Sequence, residues 1–347
     1  MFKKVLAIET SCDDTSVSIV GADGYVYALR SASQDEVHAP FGGIVPEIAC
    51  RNHSYHLLPM IEEIIGEEGW DTIDGIAVTN RPGLIGSLIV GLVTAKSLAQ
   101  TLNKPFIGIN HLEGHLLAPF LQDESYRPSF MIDKAFIALA VSGGHTSLYK
   151  VNGLGNYKIL GSTRDDAAGE AYDKFAKMLG LGFPGGVKVD RLAQTGNPQA
   201  YQLPRGLIKE ETYEMSFSGL KSSAQRLLSG MTSDEIKNRL PDLCASFQEA
   251  VCDVLVTKLN RAVLLEKQTR VILTGGVSAN SRLRKATELW AQKMGVEILI
   301  PPLRYCTDNA AMIGYAGVLR LLRGEKSNLL LGPSPQPLPG DFDVSNE

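Results

Sequence analysis

Residues 6–20 read LAIETSCDDTSVSIV and residues 139–151 read LAVSGGHTSLYKV. Each stretch has an apolar run, a short polar turn and a second apolar run, which is the pattern of two strands joined by a tight turn. A second pattern also occurs twice, because residues 74–90 and 271–291 each run from an apolar strand through a Gly-containing turn into a helical stretch. The same order of elements in both halves predicts an α/β fold with an internal duplication.

The composition limits what kind of protein this is. Its 347 residues correspond to about two domains, and 44% hydrophobic with 21% charged residues is typical of globular proteins. A net charge of -4 is unlike a dedicated nucleic-acid module, so contact with nucleic acid requires a local basic patch or a partner. Five scattered cysteines without a CxxC pair fit a reduced cytoplasm, and no apolar run reaches the length of a membrane span.

The domain organisation follows from where the repeated patterns stop and restart. Residues 126–134 contain a proline and mixed charges, and we expect a first lobe over residues 1–133 and a second over residues 134–327. Within the second lobe, residues 165–260 look mostly helical and are predicted to be an insertion. The Pro-rich residues 328–347 are predicted to form a tail that is ordered only in part.

His111 and His115 carry the sharpest chemical signal. Side chains four residues apart lie on one face of a helix, and this spacing allows two imidazoles to bind one metal ion. The segment is not the HExxH motif of metallopeptidases, because Glu113 lies about 200° around the helix from His111 and points away from a shared metal. Two structural histidines near a helix start are the alternative. A third ligand is needed, and the spacing of Asp308 alone indicates a helix N-cap.

Three polar or Gly-rich turns follow strands, at residues 10–14, 142–145 and 274–280. Backbone N–H groups in such turns bind oxyanions, so together they suit a nucleotide in a cleft between the two halves, although none contains the GK[ST] of a Walker A loop.

Acidic side chains form a further pattern on one predicted helix. Asp166, Glu170 and Asp173 share one helical face. This face is either a wall that binds ribose hydroxyls or a substrate amine, or a solvated surface that carries a Glu170–Lys174 pair.

Ten segments of the chain together resemble the TsaD family of tRNA N6-adenosine threonylcarbamoyltransferases, in particular its bacterial branch. They occur in family order between residues 5 and 322, which is nearly the whole chain. The segments are IETSCDDT (8–15), GGIVPEIACRNH (42–53), PGLIGSL (82–88), NHLEGHLLAP (110–119), VSGGHTSL (141–148), DDAAGEAYDK (165–174), LGFPGG (181–186), SFSGLK (216–221), GGVSANSRLR (275–284) and CTDNAAM (306–312).

The resemblance implies a duplicated actin-like, sugar-kinase-like ATPase fold with two lobes and an interdomain cleft, and a helix near residues 308–323 that packs back on the first lobe. It implies transfer of the threonylcarbamoyl group from threonylcarbamoyl-AMP to the N6 amine of the adenosine 3′ of the anticodon, in tRNAs that read ANN codons, with release of AMP. The implied partners are tRNA and TsaB-like and TsaE-like proteins, without a membrane.

The resemblance also assigns residues, motif by motif. His111, His115 and Asp308 are implied to bind one divalent metal ion, with Fe²⁺ favoured, Zn²⁺ as the alternative and Mg²⁺ accompanying a nucleotide; this replaces the N-cap interpretation of Asp308. The implied substrate-binding residues are Ala140, Val141, Ser142, Gly143, Gly144, Asp173, Gly186, Asp190 and Asn280. The candidate general bases on turns facing the cleft are His145, Asp13 and Glu9, of which His145 has the most suitable ordinary pKa.

The chain departs from the family pattern at three places, one of which is Asp14, a shorter side chain where the family commonly has glutamate. Asn80 and Arg81 stand where the family usually has small residues and glycine, and the tail lacks an Arg-Trp segment, which affects loop and tail contacts rather than the chemistry. The sequence leaves open the metal, the base, the chain's own ATPase activity, and a homodimer against a TsaB-type heterodimer. The rival functions are a metal-dependent peptidase and a non-catalytic actin-like nucleotide-binding scaffold.

Overall fold

A computed structural model describes residues 3–344. They form two compact units, each built around its own mixed sheet. The first unit runs to Ile132 and resumes with Pro301–Asp341, while the second comprises Asp133–Ile300 and residues 342–344. Among the described residues, no helix has both the length and the apolar character that a membrane span requires. All five cysteines are free thiols.

The first unit contains a five-stranded sheet in the order β3-β2-β1-β4-β5. β1 is antiparallel to β2 and parallel to β4, and β5 extends the parallel part. The strands are β1 Lys4–Glu9, β2 Thr15–Gly21, β3 Val26–Ala32, β4 Gly75–Arg81 and β5 Phe106–Asn110. The helices of this unit are α1 Asp35–His38, α2 Pro46–Glu68, α3 Ile85–Thr101, α4 His111–Leu117 and, much later in the chain, α11 Ala310–Leu322. Short 3₁₀ turns lie at Ala39–Phe41, Trp70–Thr72, Ala118–Phe120 and Leu303–Tyr305.

Helices cover both faces of this sheet, which explains why β1 and β4 are apolar throughout rather than alternating. On one face Leu6 and Ile8 pack with apolar side chains of α2 and α3. On the other face α11 approaches so closely that a Cβ atom on Gly314 would lie 2.7 Å from Val20. The sheet is therefore buried by helices from both ends of the sequence.

Gly317 of α11 is expected to be a sensitive position for stability. A Cβ atom there would lie 2.3 Å from the Cβ atom of Ala77 on β4, so Gly317→Ala would push helix and sheet apart and lower the free energy of unfolding by about 1–3 kcal/mol. Gly66 in α2 is the matched control, because a Cβ atom on it meets open space and Gly66→Ala should stabilise the helix by up to about 1 kcal/mol. Unfolding midpoints measure both changes, and a wild-type midpoint for Gly317→Ala would contradict this packing.

The second unit repeats the sheet of the first. Its order is β10-β9-β6-β7-β8-β11, in which β6 is antiparallel to β7 and parallel to β9, as β1 is to β2 and β4. The strands are β6 Phe136–Val141, β7 Thr146–Gly153, β8 Asn156–Ser162, β9 Arg270–Thr274, β10 Glu297–Leu299 and β11 Asp343–Val344. The helices are α5 Ala168–Met178, α6 Gly185–Ala193, α7 Ser218–Ser229, α8 Ser233–Asn238, α9 Leu240–Leu265 and α10 Ser281–Met294, with a 3₁₀ turn at Gly276–Ala279.

The duplication predicted from the sequence is confirmed by the matching strand orders of the two sheets. The predicted helical insertion corresponds to α5 through α9, which follow β8 and precede β9. Four of the described strands were not predicted, namely β3, β8, β10 and β11. Within the Pro-rich tail, the backbone N–H of Ser334 donates a hydrogen bond to the carbonyl of Asn80 at 2.9 Å, and just before the tail the backbone N–H of Ser327 donates to the carbonyl of Phe106 at the same distance. Residues 345–347 of the predicted tail lie outside the described residues.

Candidate active site

The helix α4 presents His111 and His115 on one face, at the carboxyl end of β5. Asn110 caps this helix, because its side-chain oxygen accepts a hydrogen bond from the backbone N–H of Leu112 at 2.8 Å. The Nε2 atoms of the two histidines lie 3.3 and 3.1 Å from the same carboxylate oxygen of Asp308. One donor atom from each of the three residues lies within 4.8 Å of the other two, so the three residues can bind one metal ion together.

Asp308 is not the cap of the following helix. Asn309 caps α11, and its side-chain oxygen accepts a hydrogen bond from the backbone N–H of Met312 at 3.1 Å. The interpretation of Asp308 as a cap, based on spacing alone, is therefore wrong by one residue. Because Asn309 caps the helix, the carboxylate of Asp308 is not needed for capping and faces the two imidazoles.

Glu9 at the end of β1 orients the first of these histidines. Its carboxylate accepts hydrogen bonds from the backbone N–H of Ser11 and the hydroxyl of Thr79, and lies 3.1 Å from Nδ1 of His111. Because Nδ1–H donates to this carboxylate, Nε2 is the ring atom of His111 that faces Asp308, and it would bind a metal ion after losing its proton. This contact suits an orienting residue.

The electrostatics of the cluster favour a positive charge between the three donors. Burial lowers the pKa of His111, but the carboxylates of Asp308 and Glu9 outweigh it and raise that pKa well above its usual range. Burial raises the pKa of Asp308, and the two histidines reverse this and hold it well below the ordinary value. The same field that stabilises a proton here would stabilise a metal cation, so the residues fit a divalent ion with nitrogen and oxygen ligands.

Glu113 points away from this cluster, as its helical position predicted. Its buried carboxylate accepts hydrogen bonds from Nε of Arg320 on α11, at 2.8 and 3.1 Å. A peptidase mechanism of the HExxH type uses the glutamate beside the metal as its base. The geometry of Glu113 is unsuited to that mechanism.

Asp13 lies in the polar turn between β1 and β2 and is partly exposed. Burial and the nearby carboxylate of Asp308 raise its pKa above the ordinary value. Burial and Asp13 raise the pKa of the neighbouring Cys12 thiol far above the ordinary value, which disfavours its thiolate form. Of the three candidate bases, Asp13 and Glu9 thus belong to the first unit and His145 to the second.

Ala140 and Val141 end β6, and residues 142–145 form the turn that follows. The backbone N–H of Ser142 donates to the carbonyl of His145 at 2.7 Å, and the backbone N–H of His145 donates to the hydroxyl of Ser142 at 3.1 Å. Gly143 and Gly144 at the tip are exposed, and a Cβ atom on either would meet open space. The turn is closed by its own hydrogen bonds and leaves room for a ligand at its tip.

The remaining predicted substrate residues lie on or beside helices of the second unit: Asp173 within α5, Gly186 and Asp190 within α6, and Asn280 directly before α10. Asp173 accepts a hydrogen bond from the backbone N–H of Gly185 at 2.7 Å, next to Gly186 at the start of α6. Asp190 accepts hydrogen bonds from the backbone N–H and the hydroxyl of Ser281 at 3.1 and 2.8 Å, beside Asn280. The structure therefore brings these four residues together in pairs within one unit.

Asn280 is itself a helix cap. Its side-chain oxygen accepts from the backbone N–H of Leu283 at 2.9 Å, and its amide donates to Gln248 at 2.6 Å. These contacts fix the start of α10 and the direction of the Asn280 side chain.

Comparison with known proteins identifies the family to which this site belongs. The family model described as "TsaD: tRNA N6-adenosine threonylcarbamoyltransferase" matches residues 25–315. A protein of Bdellovibrio bacteriovorus named tRNA N6-adenosine threonylcarbamoyltransferase is 63% identical over 344 residues, which cover 99% of this chain and 100% of that protein. The chain belongs to the TsaD family. A TsaD-family protein of Sorangium cellulosum with the same name is 48% identical over 343 residues, with 95% of each chain covered.

Solved structures share the fold at low sequence identity. Full-length HypF in a phosphate- and nucleotide-bound form matches with a TM-score of 0.61 at 12% identity, over 93% of this TsaD-family chain and 47% of HypF. Component A of the (R)-2-hydroxyglutaryl-CoA dehydratase of Acidaminococcus fermentans matches with a TM-score of 0.52 at 15% identity, over 92% and 99% of the two chains. These likenesses confirm the predicted actin-like fold class. The predicted enzyme class, a tRNA-modifying transferase, is confirmed by the family, and the peptidase and scaffold alternatives gain no support.

Several residues around the TsaD-family site were not predicted from the sequence. Ser11 and Thr79 contact Glu9 or His111, Gln248 contacts Asn280, and Asn110 caps α4. Only Asn110 left a local signal, since asparagine directly before a helical stretch is a common N-cap.

Three basic residues of the second unit that could contact tRNA phosphates, Lys221, Arg282 and Arg284, already have partners within that unit. Lys221 donates to Asp166 at 2.7 Å, and Arg282 donates to both carboxylate oxygens of Glu249 at 2.6 and 2.7 Å. Arg284 donates to the carbonyl of Ser278 at 3.0 Å. A phosphate would have to compete with these contacts.

Proposed function

We propose that this TsaD-family chain transfers the threonylcarbamoyl group from threonylcarbamoyl-AMP to the N6 amine of the adenosine 3′ of the anticodon, in tRNAs that read ANN codons, and releases AMP. The observation that carries the proposal is the convergence of His111, His115 and Asp308 on one point, in a chain 63% identical to a protein with this transferase name.

The chemistry is acyl transfer to a weak nucleophile, because the adenine amine delocalises its lone pair into the ring. When bound to His111, His115 and Asp308, a metal ion supplies Lewis acidity and orients substrate oxygens. Fe²⁺ is favoured and Zn²⁺ is the alternative, since two imidazoles and one carboxylate suit both. Mg²⁺ would accompany a nucleotide.

The chain's own residues bind and orient the substrate. The backbone N–H groups of Gly143 and Gly144 stabilise the negative charge of the departing phosphate, while that of Ser142 closes the turn by donating to the carbonyl of His145. Asp173, Gly186, Asp190 and Asn280 bind the ribose or the base. Hydrogen bonds from the backbone N–H groups of Gly185 and Ser281 fix the directions of the Asp173 and Asp190 side chains. The base that accepts the amine proton is His145 or Asp13, because the buried carboxylate of Glu9 is engaged in orienting His111.

A protein partner of the TsaB type fits the exposed apolar surface of the first unit. Ile85, Ile89 and Val93 form a stripe at four-residue spacing along α3, with exposed fractions of 40, 44 and 55%. Tyr55 and Leu58 on α2, the helix packed beside α3, are also exposed. A TsaE-type ATPase completes the proposed assembly, and the free thiols of all five cysteines fit a cytoplasmic location.

Ile89→Asp is expected to weaken binding to the TsaB-type partner at least about tenfold, because an interface centre excludes an unpaired charge. Leu265→Asp is the matched control, since this exposed apolar residue lies at the end of α9. Titration calorimetry of both variants with the partner measures the effect. Equal affinities for Ile89→Asp and the wild type would remove α3 from the interface.

The transferase itself is tested by reconstitution. The purified chain, the partner proteins, unmodified tRNA and threonylcarbamoyl-AMP should yield threonylcarbamoyladenosine in a nucleoside digest analysed by mass spectrometry. A chelator should stop the reaction, and added Fe²⁺ or Zn²⁺ should restore it. A digest without the modified nucleoside from a metal-loaded, folded protein would contradict the proposal.

A further inference from the structure

The tail of the chain crosses the carboxyl ends of β4 and β5, next to the metal-binding helix. The backbone N–H of Ser334 donates to the carbonyl of Asn80 at 2.9 Å, and the side-chain amide of Asn80 donates to the carbonyl of Gly332 at 3.2 Å. The tail then reaches Asp341, whose carboxylate accepts from Nε and Nη2 of Arg81 at 2.7 and 2.5 Å. Arg81 thus anchors the tail through Asp341.

Asp341 also binds the cap of α4. Its Oδ2 atom accepts a hydrogen bond from Nδ2 of Asn110 at 2.9 Å. The side chains of Arg81 and Asp341 are only 17 and 10% exposed, so water competes weakly for this network. Arg81 stands opposite Asn110 in the register of β4 and β5, which brings the guanidinium, the carboxylate and the amide together.

Both ends of the Asn110 amide are therefore in use. Its oxygen accepts from Leu112 N–H and its nitrogen donates to Asp341. An ionised carboxylate only accepts hydrogen bonds, so it permits a single orientation of the amide, with the oxygen toward the helix. Burial raises the pKa of Asp341, but Arg81 and the backbone N–H of Leu338 hold it below the ordinary value, which keeps this carboxylate ionised at neutral pH.

We infer that Asp341 is a positioning residue for the metal centre: anchored by Arg81, it locks the cap Asn110 and thereby fixes the first turn of α4, which carries His111. This rests on the proposed metal centre, and it assigns a function to the tail. In other metal sites, substitution of a residue that orients a metal ligand without binding the metal itself weakens metal binding by about 10–100-fold. We expect the lower end, because Asp341 acts through Asn110.

The test measures Zn²⁺ dissociation constants of the full-length, metal-free protein by competition with a chromophoric chelator. Asp341→Ala should raise the dissociation constant about tenfold. Glu68→Gln is the matched control, because it removes the Lys4–Glu68 ion pair, which has similar exposure in the same unit but does not touch α4. Glu68→Gln should leave the constant unchanged, and thermal unfolding of both metal-free variants checks that they are folded.

A second pair of variants separates positioning from a general loss of stability. Asn110→Ser keeps a capping hydroxyl but cannot reach Asp341 in the same way. If Asp341 acts through Asn110, adding Asp341→Ala to Asn110→Ser should change zinc affinity by less than about twofold. Additive losses would overturn the inference, and so would wild-type affinity in Asp341→Ala. A wild-type protein that binds no metal would instead contradict the proposed centre itself.

Discussion

Replacement of His115 by alanine is expected to lower the rate of tRNA modification about a thousandfold. Its Nε2 atom lies 3.1 Å from the carboxylate of Asp308 and is one of three donor atoms grouped within 4.8 Å. Loss of one of three ligands removes the bound ion and the several kcal/mol of transition-state stabilisation that such an ion provides, which corresponds to about three orders of magnitude in rate. Single-turnover formation of the modified nucleoside measures this loss.

His56→Ala is the control for that experiment. His56 is exposed on α2 in the same unit, so its loss removes an imidazole without touching the cluster, and the rate should stay at the wild-type value. Metal analysis of both variants completes the comparison. A His115→Ala protein that retains full activity would show that the histidine pair is structural, which was the alternative left open by the spacing.

The second large effect is expected for Glu9→Gln. The substitution preserves shape but replaces the acceptor that faces Nδ1–H of His111 at 3.1 Å. An amide can present its NH₂ group to the imidazole instead, which favours the wrong tautomer, so metal affinity should fall by about 10–100-fold. The dissociation constant of Zn²⁺, measured on the metal-free protein, reports this directly.

Glu113→Gln is the matched control, because Glu113 is also a buried carboxylate but faces Arg320. It should lower stability and leave metal affinity intact. The outcome also decides between the two functions considered for Glu9. If the Glu9→Gln variant binds Zn²⁺ with wild-type affinity but modifies tRNA much more slowly, Glu9 is the general base and does not act by orienting His111.

The repeated strand-turn-strand patterns made the fold predictable, because central strands buried on both faces read as continuous apolar runs. β1 and β6 are both of this kind. The edge strand β3, and β8, whose outer neighbour is only the two-residue β11, bury only part of their residues, so their sequences carry a weaker pattern. Strands of this type are defined by the neighbour they pair with, which the local sequence does not reveal.

The site was predictable only where its chemistry is local in sequence. The spacing of His111 and His115 indicated a possible metal site. The third residue, Asp308, was assigned only from the family resemblance, because a contact between residues 111 and 308 leaves no local sequence pattern. The ion pair of Arg81 with Asp341 spans 260 positions, and nothing in either segment indicates the other. Such contacts depend on the tertiary fold.

The division of the first unit between the two ends of the chain has a consequence for biosynthesis. Residues 133–300 must be translated before α11 and Asp308 leave the ribosome, which takes roughly ten to thirty seconds at usual elongation speeds. During that interval the face of the nascent sheet that α11 later covers is exposed to water, and a chaperone can bind it. The ion can be captured by all three ligands only near termination, so nascent protein should be metallated late.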